Sequence, residues 1–197
     1  MEEINNRFSI IIPNFNDSES LQILVKEIFQ ISKMHKYKFN LIIIDDGSTK
    51  KINLNFENDK NISIIYLRLR NNLGHQKAIH VGLLYCFDKN IKRVIIMDSD
   101  GEDKPTDIHK LISKSNESKN SIVVAKRKNR KESFIFKLMY KLYKILFYFL
   151  TGKYIDFGNF CILNSSHIRQ ILLIPNSYNH LPASIIKSKI QLIKLFN

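Results

Sequence analysis

The chain has no tryptophan, and only two cysteines, four prolines and six glycines among its 197 residues. Each scarcity removes a class of protein. Cys86 and Cys161 lie inside apolar runs without CxxC spacing, so neither a disulfide framework nor a zinc site is expected. They read as buried free thiols of a reduced compartment. Gly74 belongs to no GxGxxG, which sets aside a nicotinamide cofactor. Met1 to Asn6 is acidic and polar where a secretory leader needs a basic start and an apolar core. No apolar run long enough to cross a bilayer is found, and the chain is expected to be cytoplasmic. Acidic residues are also few, 18 against 31 Lys and Arg, for a formal net charge of +13. That excess suits an anionic partner: nucleotide, nucleic acid or acidic membrane surface. The lysines are dispersed and no RNP, helix-turn-helix or zinc pattern accompanies them, so nucleic acid is not expected.

Apolar runs alternate with helical periods. Phe8 to Ile12 reads as a first strand stopped by Pro13. Leu21, Leu24, Val25, Ile28, Ile31 and Met34 then recur at helical spacing, with Asp17 or Ser18 as N-cap. Leu41–Ile44 and Ile62–Leu69 read as further strands, and a helix from Gly74 to Asp88 leads to Val94–Met97. Another helix, with Pro105 in its first turn, leads to Ser121–Ala125. Strands apolar throughout and separated by helices indicate an α/β fold, a mainly parallel sheet with helices on both faces. The length fits one domain.

Because acids are scarce, their clustering is informative. Val94 to Met97 runs into Asp98, Asp100, Glu102 and Asp103. On an extended chain Asp98 and Asp100 fall on one side, about 7 Å apart. Two carboxylates at the carboxyl end of a core strand stand where open α/β sheets bind ligands. Hard cations such as Mg²⁺ or Mn²⁺ take such oxygen ligands, often together with substrate phosphates. A solvated acidic turn is the other reading. An EF-hand is excluded, because its sixth and twelfth positions would be Asp103 and His109. Upstream, Asp45-Asp-Gly-Ser-Thr49 follows the second strand. A carboxylate there can accept from the edge of a base, or simply close a turn.

Residues 134–150 are apolar and aromatic except for Lys137, Lys141 and Lys144, which share one helical face. Seventeen residues reach only about 25 Å, and three lysines oppose a crossing. The stretch fits a helix lying in a membrane interface, or a core helix with one solvated face. His75, His80 and His109 show no ligand spacing and read as surface or satisfied core histidines. Lys77 and Arg70 read either as phosphate partners or as a solvated face.

Ile11-Ile-Pro-Asn-Phe-Asn-Asp17, Ile44-Asp-Asp-Gly-Ser48, Asn72-Leu-Gly-His-Gln-Lys-Ala78 with Gly82, and Met97-Asp-Ser-Asp100 occur in that order. Over residues 8 to 175 this set resembles the inverting family-2 glycosyltransferases of the GT-A fold. Within them it looks most like the enzymes that charge a polyprenyl phosphate with a sugar. Val123-Val-Ala-Lys-Arg127 and a turn at Phe157-Gly-Asn-Phe160 continue the pattern. The resemblance implies a domain over 1–175 and an atypical Lys/Ile-rich end over 176–197. It implies transfer of a hexose from a UDP- or GDP-linked sugar with inversion, assisted by Mg²⁺ or Mn²⁺, at the inner face of the cell membrane.

By the same resemblance Pro13, Phe15, Asp17, Ile44 and Asp46 line the nucleotide-sugar site. Asp98, Ser99 and Asp100 hold the diphosphate, Asp100 and Glu102 the metal, and Arg127 the acceptor phosphate. Asp98, Asp100 and Arg127 are the residues assigned to catalysis. Phe15, Asp17, Glu102 and Asn159 stand where Tyr, Glu, Gln and Asp are common in the family. A saccharide hydroxyl as acceptor would need a base, and polymer-forming relatives carry a downstream Glu-Asp pair and Gln-x-x-Arg-Trp. Neither occurs here, and Asp156 is the one carboxylate after Glu132. Members with a lipid acceptor run on past the last matched strand, whereas this sequence stops at Asn197. The acceptor side is therefore expected to be weaker than the donor side, and a poorly active nucleotide- or membrane-binding relic is the alternative.

Overall fold

The computed structural model describes residues 6–50, 52, 59–126 and 155–195. β1 (Arg7–Asn14) is followed by α1 (Ser18–His35), β2 (Lys38–Asp45) and β3 (Ile62–Arg68). Then come α2 (His75–Asp88), β4 (Arg93–Ile96), α3 (Asp107–Glu117) and β5 (Ile122–Lys126). β6 (Phe157–Asn164), α4 (Ser165–Leu172), α5 (Leu181–Lys187) and β7 (Leu192–Leu195) complete the described chain. One seven-stranded sheet has the order β3-β2-β1-β4-β6-β5-β7. β6 runs antiparallel to both β4 and β5, and the other pairings are parallel.

Alternation along the strands builds two cores. Ile10, Ile12, Leu41, Ile43 and Ile95 face α1 and α3. Ile11, Ile42, Ile44, Val94 and Ile96 face α2, α4 and α5. Both sides are covered, so residues 10–12, 41–44 and 94–96 are unbroken aliphatic runs. Each fully buried Ile contributes about 1.5–3 kcal/mol of transfer free energy. β1 pairs with β2 on one side and β4 on the other, with α1 and α2 on opposite faces. The strand order therefore reverses at β1/β4, which opens a crevice beyond their carboxyl ends.

Two local expectations change. β1 does not stop at Pro13 but continues to Asn14, opposite Asp45. Ile11 accepts from Met97 N–H on the β4 side, and Asn14 accepts from Asp46 N–H on the β2 side. The missing N–H of Pro13 thus points towards β4, whose ladder with β1 ends at Ile11 and Ile96. No ladder bond is lost. The helix expected at Pro105 begins at Asp107, after a tight turn in which Asp107 N–H reaches Lys104 O. The N-cap of α1 is Asp17, whose Oδ1 accepts from Ser20 N–H at 3.1 Å. Phe157 to Phe160 lies within β6 and is not a turn. Beyond residue 175, α5 buries Leu181 and Ile185, and β7 pairs with β5. Residues 134–150 and Arg127 lie outside the described residues. Among the described residues no helix is long and apolar enough to cross a membrane.

Candidate active site

Four loops meet at the crevice, each leaving the sheet at a carboxyl end or entering α2. The loops after β1 and β2 are laced together. Asn16 donates its N–H to Ser48 Oγ at 2.9 Å, and Asn16 Oδ1 accepts from Thr49 N–H at 2.8 Å and from Thr49 Oγ1 at 3.0 Å. The loops after β1 and β4 are joined too. Asn14 Nδ2 donates to Ser99 Oγ at 3.2 Å, and Ser99 Oγ donates to Pro13 O at 3.0 Å. The proline carbonyl, left beyond the ladder, thereby finds its donor.

Asp45 and Asp46 differ sharply in what they bind. Asp45 is fully buried; it accepts from Ser48 N–H and from the Tyr66 hydroxyl, and Arg68 Nε lies 3.5 Å away. Burial and the bond to Asp45 push the Tyr66 phenol up to about 12, so it stays a donor. Asp46 Oδ1 accepts from Leu73 N–H at 2.8 Å and its Oδ2 from Gly74 N–H at 2.9 Å. Asp46, expected to line the nucleotide-sugar site or to close a turn, is thus also a buried clamp on the loop entering α2.

The expected residues converge in one cleft of about 260 Å³, lined by Pro13, Phe15, Asp17, Asp46, Asp98, Ser99 and Asp100 among others. Two expected residues stand apart. Ile44 is fully buried in the apolar core and does not line the cleft. Glu102 is exposed on the turn after Asp100, where its N–H reaches Asp100 Oδ1 at 3.0 Å. A second hollow of about 650 Å³ between α1 and residues 100–106 meets the cleft at Asp100.

His75, expected as a surface or satisfied core histidine, lines the cleft at the start of α2. Its Nε2 lies 3.1 Å from Asp98 Oδ1 and 3.1 Å from Asn159 Nδ2. Asn159 in turn donates to Asp98 Oδ2 at 3.1 Å. The hydrogen bond to Asp98 raises the His75 pKa above its ordinary value, against the opposing effect of burial. The available signal is Asn72-Leu-Gly-His-Gln, the only motif segment that carries an imidazole. His109 is a satisfied histidine, as expected: its Nδ1 meets Tyr37 Oη at 2.7 Å and its ring stacks on His35.

Among the described residues no three His, Cys, Asp or Glu side chains cluster as a closed metal cage. The donor set that faces the cleft is nonetheless mostly oxygen, with the carboxylates of Asp98 and Asp100 beside the His75 imidazole. Both thiols are buried, and burial pushes them upward, so no soft ligand competes. Such a set fits a hard divalent ion completed by substrate oxygens.

The sequence pattern of Glycosyl transferase family 2 matches residues 9–171. The chain belongs to that family. An undecaprenyl-phosphate 4-deoxy-4-formamido-L-arabinose transferase of Proteus mirabilis is 29% identical over 164 residues, covering 81% of this chain and 48% of that protein. A dodecaprenyl-phosphate galacturonate synthase of Rhizobium johnstonii is 28% identical over 182 residues, 89% of this chain and 53% of the relative. This family-2 chain thus spans about half the length of the relatives it matches. Residues 1–349 of S. aureus TarS in complex with UDP superpose with a TM-score of 0.62 at 14% identity, over 97% of this chain and 60% of that one. That likeness is one of fold, and the GT-A architecture expected from the motifs stands.

The histidines also give this family-2 domain a stability signature. Burial holds His80, His167 and His180 below the usual value of 6.5, and burial with neighbouring His109 does so for His35. For these groups the unfolded chain takes up protons first. Their stability is present above pH 6.5 and is lost as pH falls from there through their lowered folded pKa. His75 has the opposite sign: its contribution is present below pH 6.5 and fades as pH rises through its raised folded pKa. With four groups against one, the melting temperature of the metal-free protein is expected to fall between pH 7.5 and 5.5. Thermal scans at fixed ionic strength check this, and a flat or rising profile would contradict it.

Proposed function

We propose that this domain transfers a hexose, with inversion, from a UDP- or GDP-linked sugar to a polyprenyl phosphate. The observation that carries this reading is the convergence of Asp46, Asp98, Ser99 and Asp100 in one cleft at the strand-order reversal. Relatives named for undecaprenyl- and dodecaprenyl-phosphate products support the acceptor class.

Pro13, Phe15, Asp17 and Asp46 hold the nucleotide, and the half-exposed Phe15 offers its ring to a base. Asp98, Ser99 and Asp100 meet the diphosphate end. Two carboxylates alone would repel a diphosphate; a Mg²⁺ or Mn²⁺ would be held by Asp98 and Asp100, with Glu102 as a further ligand, and would supply charge balance and Lewis acidity for the departing group. His75 sits against Asp98 and keeps its carboxylate oriented.

A phosphate acceptor arrives ionised and needs no strong base. This suits the chain, because Asp156 does not line the cleft and is held by Lys194 at 2.7 Å and Lys126 at 3.7 Å. Arg127 follows directly on β5 and is proposed to grip the acceptor phosphate. A lipid acceptor also requires the site to meet the membrane. The lysine face of 137, 141 and 144 is proposed to rest on the inner leaflet, and vesicle flotation that fell with salt would support it.

The test is a transfer assay with nucleotide sugar, polyprenyl phosphate and Mn²⁺. Glycolipid should form, EDTA should abolish it, and Asp100→Asn should lower kcat/KM by about 10²-fold, the size of one lost electrostatic contact in the transition state. Equal turnover in EDTA, or an unaffected Asp100→Asn, would overturn the assignment.

A further inference from the structure

A chain of side-chain amides runs from α5, outside the residues that match the family pattern, to the carboxylate of Asp98. Leu181 N–H donates to Gln76 Oε1 at 2.7 Å. Gln76 Nε2 donates to Asn159 Oδ1 at 3.1 Å, and Asn159 Nδ2 donates to Asp98 Oδ2 at 3.1 Å. A backbone N–H can only donate, so the first link fixes which end of the Gln76 amide faces α5. The other end must then be the NH₂ group, which fixes Asn159 with its oxygen towards Gln76. Its own NH₂ is thereby left to face Asp98. The polarity of the whole row follows from one backbone group. A reversed Asn159 would set its oxygen against the Asp98 carboxylate, and the one donor within reach, His75 Nε2, already faces Asp98 Oδ1 at 3.1 Å.

We propose that Gln76 is a positioning residue: it holds the Asn159 amide so that an N–H faces Asp98, and so couples the docking of α5 to the donor site. The coupling is physically reasonable at both ends. Leu181 opens α5, and the first N–H groups of a helix have no partner within it. Gln76 satisfies that one and His180 Nδ1 accepts from Ala183 N–H, so α5 is seated through the same side chain that orders the site. This role rests on the proposed transfer only in what Asp98 is for; the hydrogen-bond row itself does not depend on it.

Gln76→Glu keeps the size and the Leu181 bond but removes the NH₂ group that faces Asn159. Asn159 should then turn its N–H towards the introduced carboxylate and present its oxygen to Asp98. In ¹⁵N-labelled, nucleotide-free protein, the Asn159 side-chain amide and Leu181 N–H of the wild type should exchange slowly. Gln76→Glu should shift the Asn159 amide signals while the dispersed backbone spectrum is kept. Fast exchange of the Asn159 amide in the wild type, or unshifted signals in the variant, would overturn the row. Kinetics test the consequence. Gln76→Glu should lower kcat/KM about tenfold or more, yet cost less than twofold when added to Asn159→Ala, because both act through one contact. Additive losses would show that Gln76 acts elsewhere and would overturn the proposal. If the wild type binds neither UDP- nor GDP-sugar with Mn²⁺, the transferase reading fails, while the amide spectra still decide the row.

Discussion

Asp46→Ala is expected to lower the unfolding free energy by about 3 kcal/mol or more and to weaken nucleotide binding at the same time. The carboxylate is buried and receives two backbone N–H groups, from Leu73 and Gly74. Hydrogen bonds to a charged acceptor contribute about 1.5–3 kcal/mol each, and removing the acceptor leaves both donors without a partner. Water entering the space from the cleft should recover part of the loss, which keeps the estimate near the lower end of the sum. A domain typically has about 5–15 kcal/mol in total, so the change should be obvious in urea unfolding. Binding falls for a linked reason: the loop that Asp46 holds leads directly into His75. Asp46→Asn keeps one acceptor and should retain roughly half of the stability. If Asp46→Ala lost affinity with no change in stability, its carboxylate would serve the ligand alone. If neither moved, the clamp would be unimportant.

How far the sequence could foresee this depends on the range of the interaction. The continuous apolar runs mark the strands and the 3.6-residue periods mark their helices, because strands covered on both faces carry no polar alternation. The same logic locates Asp46, Asp98 and Asp100, since they follow strands directly. It cannot find the partners of those carboxylates. Asn159 reaches Asp98 across 61 positions, and Gln76 reaches Leu181 across 105. Such pairs leave no local period. Pro13 misleads because its effect depends on which side of β1 its nitrogen faces, and that side is set by where β4 ends. Ile44 enters the expected site through its neighbours in a motif, whereas its own apolar side chain belongs to the α2-facing core.

Gly47→Ala should be strongly damaging, lowering the melting temperature by about 8–16 °C for a loss of about 4 kcal/mol in a domain of this size. Gly47 lies in the turn after β2 with φ of +74°, and a Cβ there would come within 2.7 Å of both Asn71 C and Asn72 N. The left-handed backbone alone costs a non-glycine residue about 1–2 kcal/mol. The remainder arises from the contact, because the atoms in the way are backbone and cannot rotate aside. Relief requires the loop at 71–74 to move off the turn, which pulls Leu73 and Gly74 away from Asp46. Gly101→Ala provides the internal control. Its φ is +79°, close to that of Gly47, but a Cβ there meets nothing within 4 Å, so only the backbone term applies. It should therefore shift the melting temperature by roughly 2–8 °C, the equivalent of about 1–2 kcal/mol. Equal shifts for the two variants would mean that glycine is needed at 47 for its dihedral alone. A larger shift at 47, accompanied by lost nucleotide affinity, would show that the turn and the loop entering α2 are built against each other.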